Sequence, residues 1–493
     1  MNIIACYVAS RPETVGVGGT ADVLEVRSPI GERLVGRTVN ASDDQVERAV
    51  AAAAAVAREA AALPAHVRAG ALDHVARRLA ERADEAARLI TAESGKPIKW
   101  ARAEVGRAVS TFRWAAEEAR RFAGELQRLD TDPAATGGMA IVRRVPRGPV
   151  LGISPFNFPL NLVAHKVAPA IAVGAPIIVK PAPATPLSAL LLGELLAEAT
   201  EPSGPGTGLP VGMFSVLPVP NERAASLVTD PRLPVVSFTG SGPVGAQIRS
   251  AVPDKHVTLE LGGNAAAVVC GDWSSDADLE WAATRIATYG NYQAGQSCIA
   301  VQRVIVHEDR YDDFVPRLVD KVKALPNGDI YDETTEVGPV INVAAAERIA
   351  AWVLEAELAG ARNLVGGWFR YGTTFSPIVL EGAPPDAKVC VEEVFGPVLV
   401  VSKAASDADA FAAVNDSKYG LQAGVFTHSL QTAFAAQRTL DVGGVIIGDV
   451  PSYRADQMPY GGQKDSGNGR EGLASAMADY TDVRVMVLTG IDL

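Results

Sequence analysis

Short apolar segments alternate with helical segments from residue 149 to beyond residue 440, and this alternation limits the possible folds more than any other feature. Apolar strands separated by helices predict parallel sheets that are covered on both faces. We therefore predict an α/β fold with two doubly wound parallel sheets, the second beginning after residue 263. The first four strand candidates are PVLGISP (149–155), APIIVKPA (175–182), PVVSFTG (234–240) and HVTLELGG (256–263), with helical stretches at 186–200 and 243–251.

The segment before this alternation is predicted to be helical over residues 42–124. Ser42 and Gln45 form a capping-box pattern ahead of an alanine-rich run, and Pro64 ends that run. Two more helical stretches are expected at about 67–93 and 97–124.

Two further segments have the pattern of strands outside these layers. Residues 129–148 contain Gly137-Gly138 followed by the alternating run IVRRV, which is typical of a hairpin. The tail YTDVRVMVL (480–488) alternates like an edge strand.

The totals exclude several classes of protein. A chain of 493 residues predicts two or three domains, and a net charge of −12 argues against a nucleic-acid partner, which would need a basic surface. The four cysteines are widely spaced, so neither a disulfide framework nor a metal site is expected. The apolar run 167–179 is too short to span a bilayer, and the N-terminus has no basic region typical of a signal peptide. We expect a cytoplasmic protein with reduced thiols and no membrane partner.

The segment FTGSGPVG (238–245) leads from a strand into a helix start and matches the pattern GxGxxG. It is either an ordinary tight turn or a phosphate site at a helix N-terminus. Glu260 ends the next strand, 20 positions after Gly240 (260 − 240). An acid there can hold the ribose of a dinucleotide. Alternatively, the apolar sequence around Glu260 predicts a desolvated carboxylate, whose raised pKa would suit a general base. A third alternative is that Glu260 is an ordinary solvated acid at a strand end.

Three more side chains carry functional alternatives. Asn157 follows a strand and is either a turn residue or an amide donor for an oxyanion. Lys180 ends a strand, where it is either a surface lysine or a ligand-binding residue at a sheet edge. Cys298 follows the flexible, polar sequence Gly295-Gln296-Ser297, which favours an accessible nucleophile over a buried hydrophobic residue such as Cys270.

Seven motifs together resemble the aldehyde dehydrogenase superfamily over about residues 20–490, in that family's order and spacing. The glutamate of LELGG lies 38 positions before Cys298 (298 − 260). The motifs are PFNFP (155–159), IIVKP (177–181), FTGS (238–241), LELGGN (259–264), GQSC (295–298), EEVFGPV (392–398) and PYGGQKDSGNGREG (459–472).

The resemblance implies a catalytic group and a set of cofactor-binding residues. Cys298 would be the nucleophile, Glu260 the base that activates water, and Asn157, with the backbone N–H of Cys298, the oxyanion hole. NAD or NADP would be bound by Ser154, Pro155, Phe156, Lys180, Ala182, Pro183, Thr239, Gly240, Ser241, Val244, Leu261, Glu393 and Phe395. Lys180 would hold the adenosine ribose, and Glu393 the nicotinamide ribose.

The resemblance also implies a domain organisation. Residues 1–126 and 148–260 would form a Rossmann-like cofactor domain, and residues 261–473 a catalytic domain. Residues 127–147 and 474–493 would form an oligomerisation arm, so a homodimer or homotetramer is expected.

The implied reaction oxidises an aldehyde to a carboxylic acid through a cysteine thiohemiacetal and a thioester that water hydrolyses. The glycine before the thiol would admit substrate and cofactor to the sulfur, and Ile299-Ala300-Val301 would be an anchoring strand. The alternatives are a CoA-acylating enzyme, an ordinary Rossmann dehydrogenase in which Glu260 only binds ribose, and a catalytically silent protein on the same fold.

Cofactor preference and substrate are less constrained. Pro183 occupies a position where NAD-preferring relatives often have glutamate, which predicts that NADP is tolerated. The loop GDVPSYRADQMPYGG (448–462) resembles a subgroup that acts on small, oxygenated or anionic aldehydes. The candidate substrate residues are Phe158, Arg113, Ser297, Tyr453 and Arg454. Arg113 and Arg454 are predicted to flank a substrate funnel unless they are ordinary surface arginines, whereas Phe158 and Ser297 argue against strong anion binding.

Overall fold

A computed structural model of the protein describes residues 3–15, 21–200 and 208–490. It confirms the predicted α/β class, because helices connect the strands of two large, mainly parallel sheets. The α-helices are α1 (Asp43–Ala62), α2 (Ala65–Glu81), α3 (Ala83–Ser94), α4 (Ile98–Arg121), α5 (Asn161–Val173), α6 (Leu187–Glu198), α7 (Ala224–Thr229), α8 (Gly242–Ala251), α9 (Asp276–Asn291), α10 (Glu308–Lys323), α11 (Val343–Leu358), α12 (Lys388–Val391), α13 (Asp407–Asn415), α14 (Leu430–Thr439) and α15 (Leu473–Asp479).

The strands form the two large sheets and several smaller ones. They are β1 (Ile3–Ile4), β2 (Cys6–Val8), β3 (Arg11–Glu13), β4 (Val23–Arg27), β5 (Leu34–Val39), β6 (Glu125–Arg128), β7 (Met139–Pro146), β8 (Val150–Ile153), β9 (Ile177–Lys180), β10 (Phe214–Val216), β11 (Val235–Thr239), β12 (His256–Glu260), β13 (Ala266–Val269), β14 (Arg303–His307), β15 (Arg362–Asn363), β16 (Arg370–Tyr371), β17 (Thr374–Phe375), β18 (Ile378–Glu381), β19 (Val398–Ala404), β20 (Tyr419–Gly420), β21 (Gln422–Phe426), β22 (Gly444–Ile447), β23 (Gln463–Lys464) and β24 (Thr481–Leu488).

The first large sheet has the order β12-β11-β8-β9-β10-β2-β3. From β8 the chain proceeds to β9 and β10 on one side, and later to β11 and β12 on the other, all in parallel. Because crossovers between parallel strands are right-handed, this reversal puts the connecting helices on opposite faces. It also creates a crevice at the carboxyl ends of β8 and β11, which is where open α/β sheets bind their ligands.

The second large sheet has the order β15-β18-β19-β14-β13-β21-β22 and is parallel except for β15. Antiparallel strands β2 and β3 likewise extend the first sheet, so both sheets carry antiparallel edges that the sequence did not predict. These strands are only two or three residues long, too short for a periodic pattern.

The helical segments agree with the sequence in type but differ in their boundaries. The capping box of Ser42 and Gln45 forms as predicted, and Pro64 separates α1 from α2. The stretch predicted at 67–93 is two helices, because the chain turns at Arg82 before α3 packs against α6.

Helix α5 was not predicted as a helix. All of its residues are buried, so it has no polar face and no amphipathic period. The apolar run 167–179 is divided by Gly174, which has a φ of 80°, into the end of α5 and the start of β9. Because the run is apolar throughout, its sequence does not show where the helix ends and the strand begins.

A small three-stranded sheet of β6, β7 and β24 agrees with the predicted hairpin and edge strand. Strand β24 pairs antiparallel with β7 along its whole length, and β6 pairs with the other edge of β7. The predicted boundary between residues 126 and 127 falls inside β6. We call these three strands the arm.

Within residues 3–15, 21–200 and 208–490, no single helix is both long and apolar enough to span a membrane. Helices α1 and α2 pass such a test only as a pair, across a bend of 115°.

Glu104 of α4 fixes the loop that carries Asn157. Its carboxylate accepts hydrogen bonds from the backbone N–H groups of Leu160 (2.9 Å) and Asn161 (3.1 Å), at the start of α5. It also forms an ion pair with Lys96, and both side chains are fully buried. A buried carboxylate thus stabilises a helix N-terminus next to the candidate site.

We predict that Glu104→Ala lowers the free energy of unfolding by about 3–5 kcal/mol, because it leaves the Lys96 charge buried and unpaired. Urea unfolding at equal protomer concentration measures this loss. The control is Glu117→Ala on the same helix, where an exposed glutamate pairs loosely with Arg120 at 3.7 Å and the expected change is within about 0.5 kcal/mol. Equal effects of the two variants would contradict the prediction.

Candidate active site

A cavity of about 460 Å³ lies at the carboxyl ends of β8, β11 and β12. The three predicted catalytic residues, Cys298, Glu260 and Asn157, all line it. Of the other predicted residues, it is also lined by Pro155, Phe156, Phe158, Thr239, Gly240, Ser241, Leu261, Ser297, Glu393, Phe395 and Arg454.

The loop before Cys298 has an unusual backbone. Gln293, Ala294 and Gly295 have φ angles of 43°, 59° and 68°, so three consecutive residues are left-handed, two of them not glycine. Such strain is found where surrounding structure holds a functional loop in place. A Cβ atom on Gly295 would lie 2.2 Å from the carbonyl oxygen of Gly396.

One expectation about this loop is wrong, and a second stays a prediction. Gly295 is required by its φ angle and by the close approach of Gly396, and its role in giving access to the sulfur stays a prediction. The apolar run Ile299-Ala300-Val301 is not a strand, and β14 begins only at Arg303. A short apolar run cannot be assigned to a strand by periodicity alone.

The sulfur of Cys298 lies 2.9 Å from the hydroxyl oxygen of Tyr460. Burial raises the pKa of the Cys298 thiol to about 12, while the hydrogen bond between Cys298 and Tyr460 and the charge of Arg454 act in the opposite direction. The resting group is therefore a thiol, held in place by a tyrosine. Cys6 and Cys270 are fully buried, as expected of structural cysteines, and Cys390 is partly buried.

Glu260 is buried, and neither of its carboxylate oxygens has a hydrogen-bond partner among the described residues. Burial raises its pKa well above the ordinary value, and the nearby charge of Glu471 adds to this effect. Arg454 and Lys166 act in the opposite direction. The sequence-based expectation of a desolvated carboxylate is met, since a solvated acid would have neither property.

The side-chain amide of Asn157 is also buried, and its Nδ2 donates to the backbone carbonyl of Gln296 at 3.0 Å. Since an amide group has two N–H donors, one remains for a group in the cavity. The bond to Gln296 also joins the loop after β8 to the loop that carries Cys298.

Arg454 lies behind the sulfur rather than on the surface. Its guanidinium stacks over the ring of Tyr460 at 3.9 Å and donates to Glu471 at 2.6 Å. Although burial opposes the shift, Arg454, His165 and Lys166 lower the pKa of Glu471 to about 2. Glu471 is thus the ionised partner of Arg454, whereas burial shifts the pKa of the neighbouring Glu260 upwards.

Arg107 lines the cavity beside Arg454, which the sequence analysis did not predict. It donates to Asp456 at 2.9 Å, and its guanidinium lies 5.8 Å from the centre of the Phe158 ring. Arg113, which was predicted for this role, is exposed and outside the cavity. Arg113 follows Arg107 by six residues on α4. Its side chain therefore points about 240° around the helix axis from the side chain of Arg107.

Tyr453 is half exposed and lines a separate cavity of about 190 Å³, which also contacts Arg107 and Arg454. Tyr460, Arg107 and Glu471 were all missed as functional residues. The sequence signal for Tyr460 was its place beside the glycines of PYGG. Its contact with Cys298 could not be predicted from local sequence, because the two residues are 162 positions apart (460 − 298).

Eight of the predicted cofactor residues line the part of the cavity that lies in the crevice between β8 and β11. Helix α8 begins there, and its N-cap residue Ser241 makes no side-chain hydrogen bond, so the first N–H groups are available to an anion. Phe156 and Phe395 meet edge to face with ring centres 5.9 Å apart. These groups fit the phosphates and a planar ring of a dinucleotide.

Glu393 is held at the other end of this crevice. Its carboxylate accepts from the N–H of Gly263 at 2.9 Å, and burial raises its pKa to about 7. A Cβ atom on Gly262 would lie 2.1 Å from this carboxylate, which explains the first glycine of LELGG.

The remaining predicted cofactor residues do not line the cavity. Lys180 ends β9, where its ammonium donates to Asn221 at 2.9 Å and burial lowers its pKa to about 8. The backbone N–H of Ser154 bonds to the carbonyl of Lys180 at 3.2 Å, so both lie at the same sheet edge. The others outside the lining are Ala182, Pro183 and Val244.

In the described ranges, no group of three or more His, Cys, Asp or Glu side chains is arranged to hold a metal ion.

Comparison with known proteins finds the aldehyde dehydrogenase family model matching residues 17–486. A 3-sulfolactaldehyde dehydrogenase from Priestia aryabhattai is 40% identical over 98% of this chain and 97% of its own. A sulfoacetaldehyde dehydrogenase from Neptuniibacter caesariensis is 37% identical over 85% of this chain and 90% of its own.

Solved structures agree in fold along the whole chain. Aldehyde dehydrogenase 21 from Physcomitrella patens, in complex with the reaction product succinate, has a TM-score of 0.94 and 42% identity, and covers 99% of both chains. An NADP-dependent glyceraldehyde-3-phosphate dehydrogenase from Bacillus halodurans, complexed with NADP, has a TM-score of 0.91 and 31% identity, and covers 99% of this chain and 100% of its own.

These relatives do not favour a CoA-acylating enzyme or a catalytically silent protein. The chain belongs to the aldehyde dehydrogenase family and is an NAD(P)-dependent dehydrogenase that oxidises an aldehyde to a carboxylic acid.

Proposed function

We propose that the enzyme oxidises small aldehydes that carry an anionic group, through a thioester on Cys298 that is hydrolysed by water. The observation that carries this proposal is that one cavity is lined by the sulfur of Cys298 and by the carboxylate of Glu260, which has no hydrogen-bond partner among the described residues. A nucleophile and a general base that share one cavity are what thioester formation and hydrolysis require.

In the first step, the sulfur of Cys298 attacks the aldehyde carbon, and the thiol proton is released to solvent. The oxyanion of the resulting thiohemiacetal accepts hydrogen bonds from the free N–H of Asn157 and from the backbone N–H of Cys298. The Tyr460 hydroxyl holds the sulfur in one rotamer before the attack. Bound NAD(P)⁺ supplies the hydride acceptor, and the carbon left on Cys298 is a thioester.

In the second step, Glu260 removes a proton from water, which attacks the thioester carbon. The carbon–sulfur bond breaks, the carboxylic acid leaves, and the sulfur takes up a proton. The raised pKa of Glu260 makes its ionised form a stronger base than an exposed carboxylate. The neighbouring Glu471 stays ionised because it is paired with Arg454, so the charges next to this proton transfer do not change.

Two arginines support an anionic substrate. Arg107 and Arg454 both line the cavity, and the buried Nε of Arg454 has no acceptor among the described residues. A guanidinium with unused donors is a good partner for a carboxylate or sulfonate. Asp456 and Glu471 already balance the two charges, so recognition depends on hydrogen-bond geometry more than on net charge.

The similar proteins support the same substrate class. Two of the relatives are named for sulfonated aldehydes, and the moss enzyme was solved with a dicarboxylate product. We infer that a sulfonate- or carboxylate-bearing aldehyde of two to four carbons is the substrate.

We also propose the assembly, the domain division and the location predicted from the sequence. The arm presents the exposed apolar residues Val483, Val485, Met486 and Val487 on its edge strand, which supports a homodimer or homotetramer. The boundary at residue 260 separates the two large sheets. The free thiols of all four cysteines support a cytoplasmic location.

We predict that Glu260→Gln traps the acyl-enzyme. The variant should release about one reduced cofactor per active subunit in a burst and then turn over about 10²- to 10⁴-fold more slowly, because the base is absent. Stopped-flow absorbance with a sulfonated aldehyde measures both phases, and added CoA should not restore turnover.

The control for this experiment is Glu392→Gln, because Glu392 also lines the cavity but is paired with Lys418 at 2.6 Å. It should show repeated turnover. A raised KM for the cofactor in Glu260→Gln, without a burst, would contradict the base role and favour ribose binding.

We predict comparable use of the two cofactors, with KM values for NAD and NADP within about tenfold, since Pro183 neither binds a ribose hydroxyl nor repels a phosphate. Pro183→Glu should raise the KM for NADP by about tenfold or more while leaving that for NAD nearly unchanged, because like charges repel. Initial rates with both cofactors test this. A strong NAD preference in the unmodified enzyme would refute the tolerance of NADP.

We predict that Arg454→Ala and Arg107→Ala each lower kcat/KM for a sulfonated aldehyde by roughly 10- to 100-fold relative to a neutral aldehyde of equal length, the loss typical of hydrogen bonds to a charged group. Arg113→Ala is the matched control and should leave the ratio unchanged. If all three variants keep the original ratio, the substrate is not recognised by these arginines.

A further inference from the structure

A second cavity, of about 800 Å³, lies between the arm and helices α1 and α2. Five arginines line it, and none of its lining residues is acidic. We call it the arginine cavity. Its cationic residues are Arg58 of α1, Arg68 of α2, Arg143 and Arg144 of β7, and Arg484 of β24.

The arginines in this cavity are not neutralised within the part of the chain that the structure describes. Arg58, Arg68, Arg143 and Arg484 form no ion pair there, and Arg144 donates only to the carbonyl of Ala478 and the hydroxyl of Thr481. All the ion pairs among the described residues join other side chains.

Other arginines on the same helix are paired. On α2, Arg77 and Arg78 both bind Glu81, and Arg78 also binds Glu198. The acidic residue nearest the cavity on β24, Asp482, binds Arg147 instead. Arg68, the arginine that α2 contributes to the cavity, therefore has no ion pair among the described residues, whereas the arginines further along α2 are paired.

The arrangement of the strands adds a specific cost. Arg143 and Arg484 lie directly opposite each other on the antiparallel pair β7 and β24, so their side chains share one face. Like charges in this position destabilise a sheet. In addition, the Nε of Arg68 is buried without an acceptor among the described residues. An anion in the cavity would remove both penalties.

We propose that the arginine cavity binds a small molecule that carries a multivalent phosphate group. Guanidinium groups bind phosphate oxygens through paired N–H donors, and arginines from two helices and two strands line this cavity. A volume of about 800 Å³ is within the usual range for a metabolite site and exceeds what a single phosphate ion fills. The ligand joins the arm to α1 and α2 and stabilises it there.

The test uses inorganic pyrophosphate as the probe and the full chain saturated with NAD, so that the cofactor crevice is already filled. At constant ionic strength, pyrophosphate should raise the melting temperature with a saturable dependence, whereas chloride should not. Isothermal titration should give one site per subunit. No saturable effect in either measurement would overturn the proposal.

The decisive variant is Arg143→Gln combined with Arg484→Gln. It removes the opposed charges, so its melting temperature without anion should equal or exceed that of the unmodified enzyme, while its affinity for pyrophosphate should fall at least tenfold. The matched control, Arg77→Gln, changes a paired arginine on α2 and should keep the full response to pyrophosphate.

Two results would contradict this site. Unchanged affinity in the double variant would show that the anion binds elsewhere. A change in subunit number by sedimentation, without any binding of pyrophosphate to the unmodified enzyme, would show that the arginines face acidic residues of a second copy.

Discussion

The parallel alignment of β8, β9, β11 and β12 is the constraint on which the rest of the structure depends. Because these strands run in one direction, their carboxyl ends lie at one edge, and the segments that follow β8, β11 and β12 all line the cavity. Asn157 follows β8, Thr239 and Glu260 end β11 and β12, and Lys180 ends β9. The reversal of strand order next to β8 opens the crevice between these loops.

The second sheet contributes the sulfur, and the two halves are joined by a few buried polar contacts. The amide of Asn157 donates to the carbonyl of Gln296, and the guanidinium of Arg107 donates to the carboxylate of Asp456. Within this shared site the two neighbouring carboxyl groups have opposite pKa shifts, because Arg454 neutralises Glu471, whereas Glu260 is buried and has no hydrogen-bond partner in the part of the chain that the structure describes. Separation of two pKa values in this way is how one acid becomes a base for catalysis while the other stays a fixed charge.

Much of this organisation could be predicted from the sequence, because it depends on patterns that are local. Apolar runs located the strand ends, and the ordered motifs identified Cys298, Glu260 and Asn157, which the structure brings into one cavity. The failures have physical causes. Helix α5 is buried on all sides, so its sequence has no alternation of polar and apolar faces. Arg113 was chosen instead of Arg107 because the sequence did not show which face of α4 points into the cavity. The contact of Tyr460 with Cys298 joins distant segments, which no local pattern reports.

The left-handed residues Gln293, Ala294 and Gly295 have a consequence for how such an enzyme can diversify. Their backbone sets the main-chain position of Cys298, whereas the loop 448–462 contributes Arg454 to the cavity and, through Tyr460, a contact with the sulfur. Side chains of that loop that touch neither the sulfur nor Glu471, such as Tyr453, can be exchanged while the reacting atom stays in place. Evolution can therefore vary those positions with little effect on the chemistry at the sulfur.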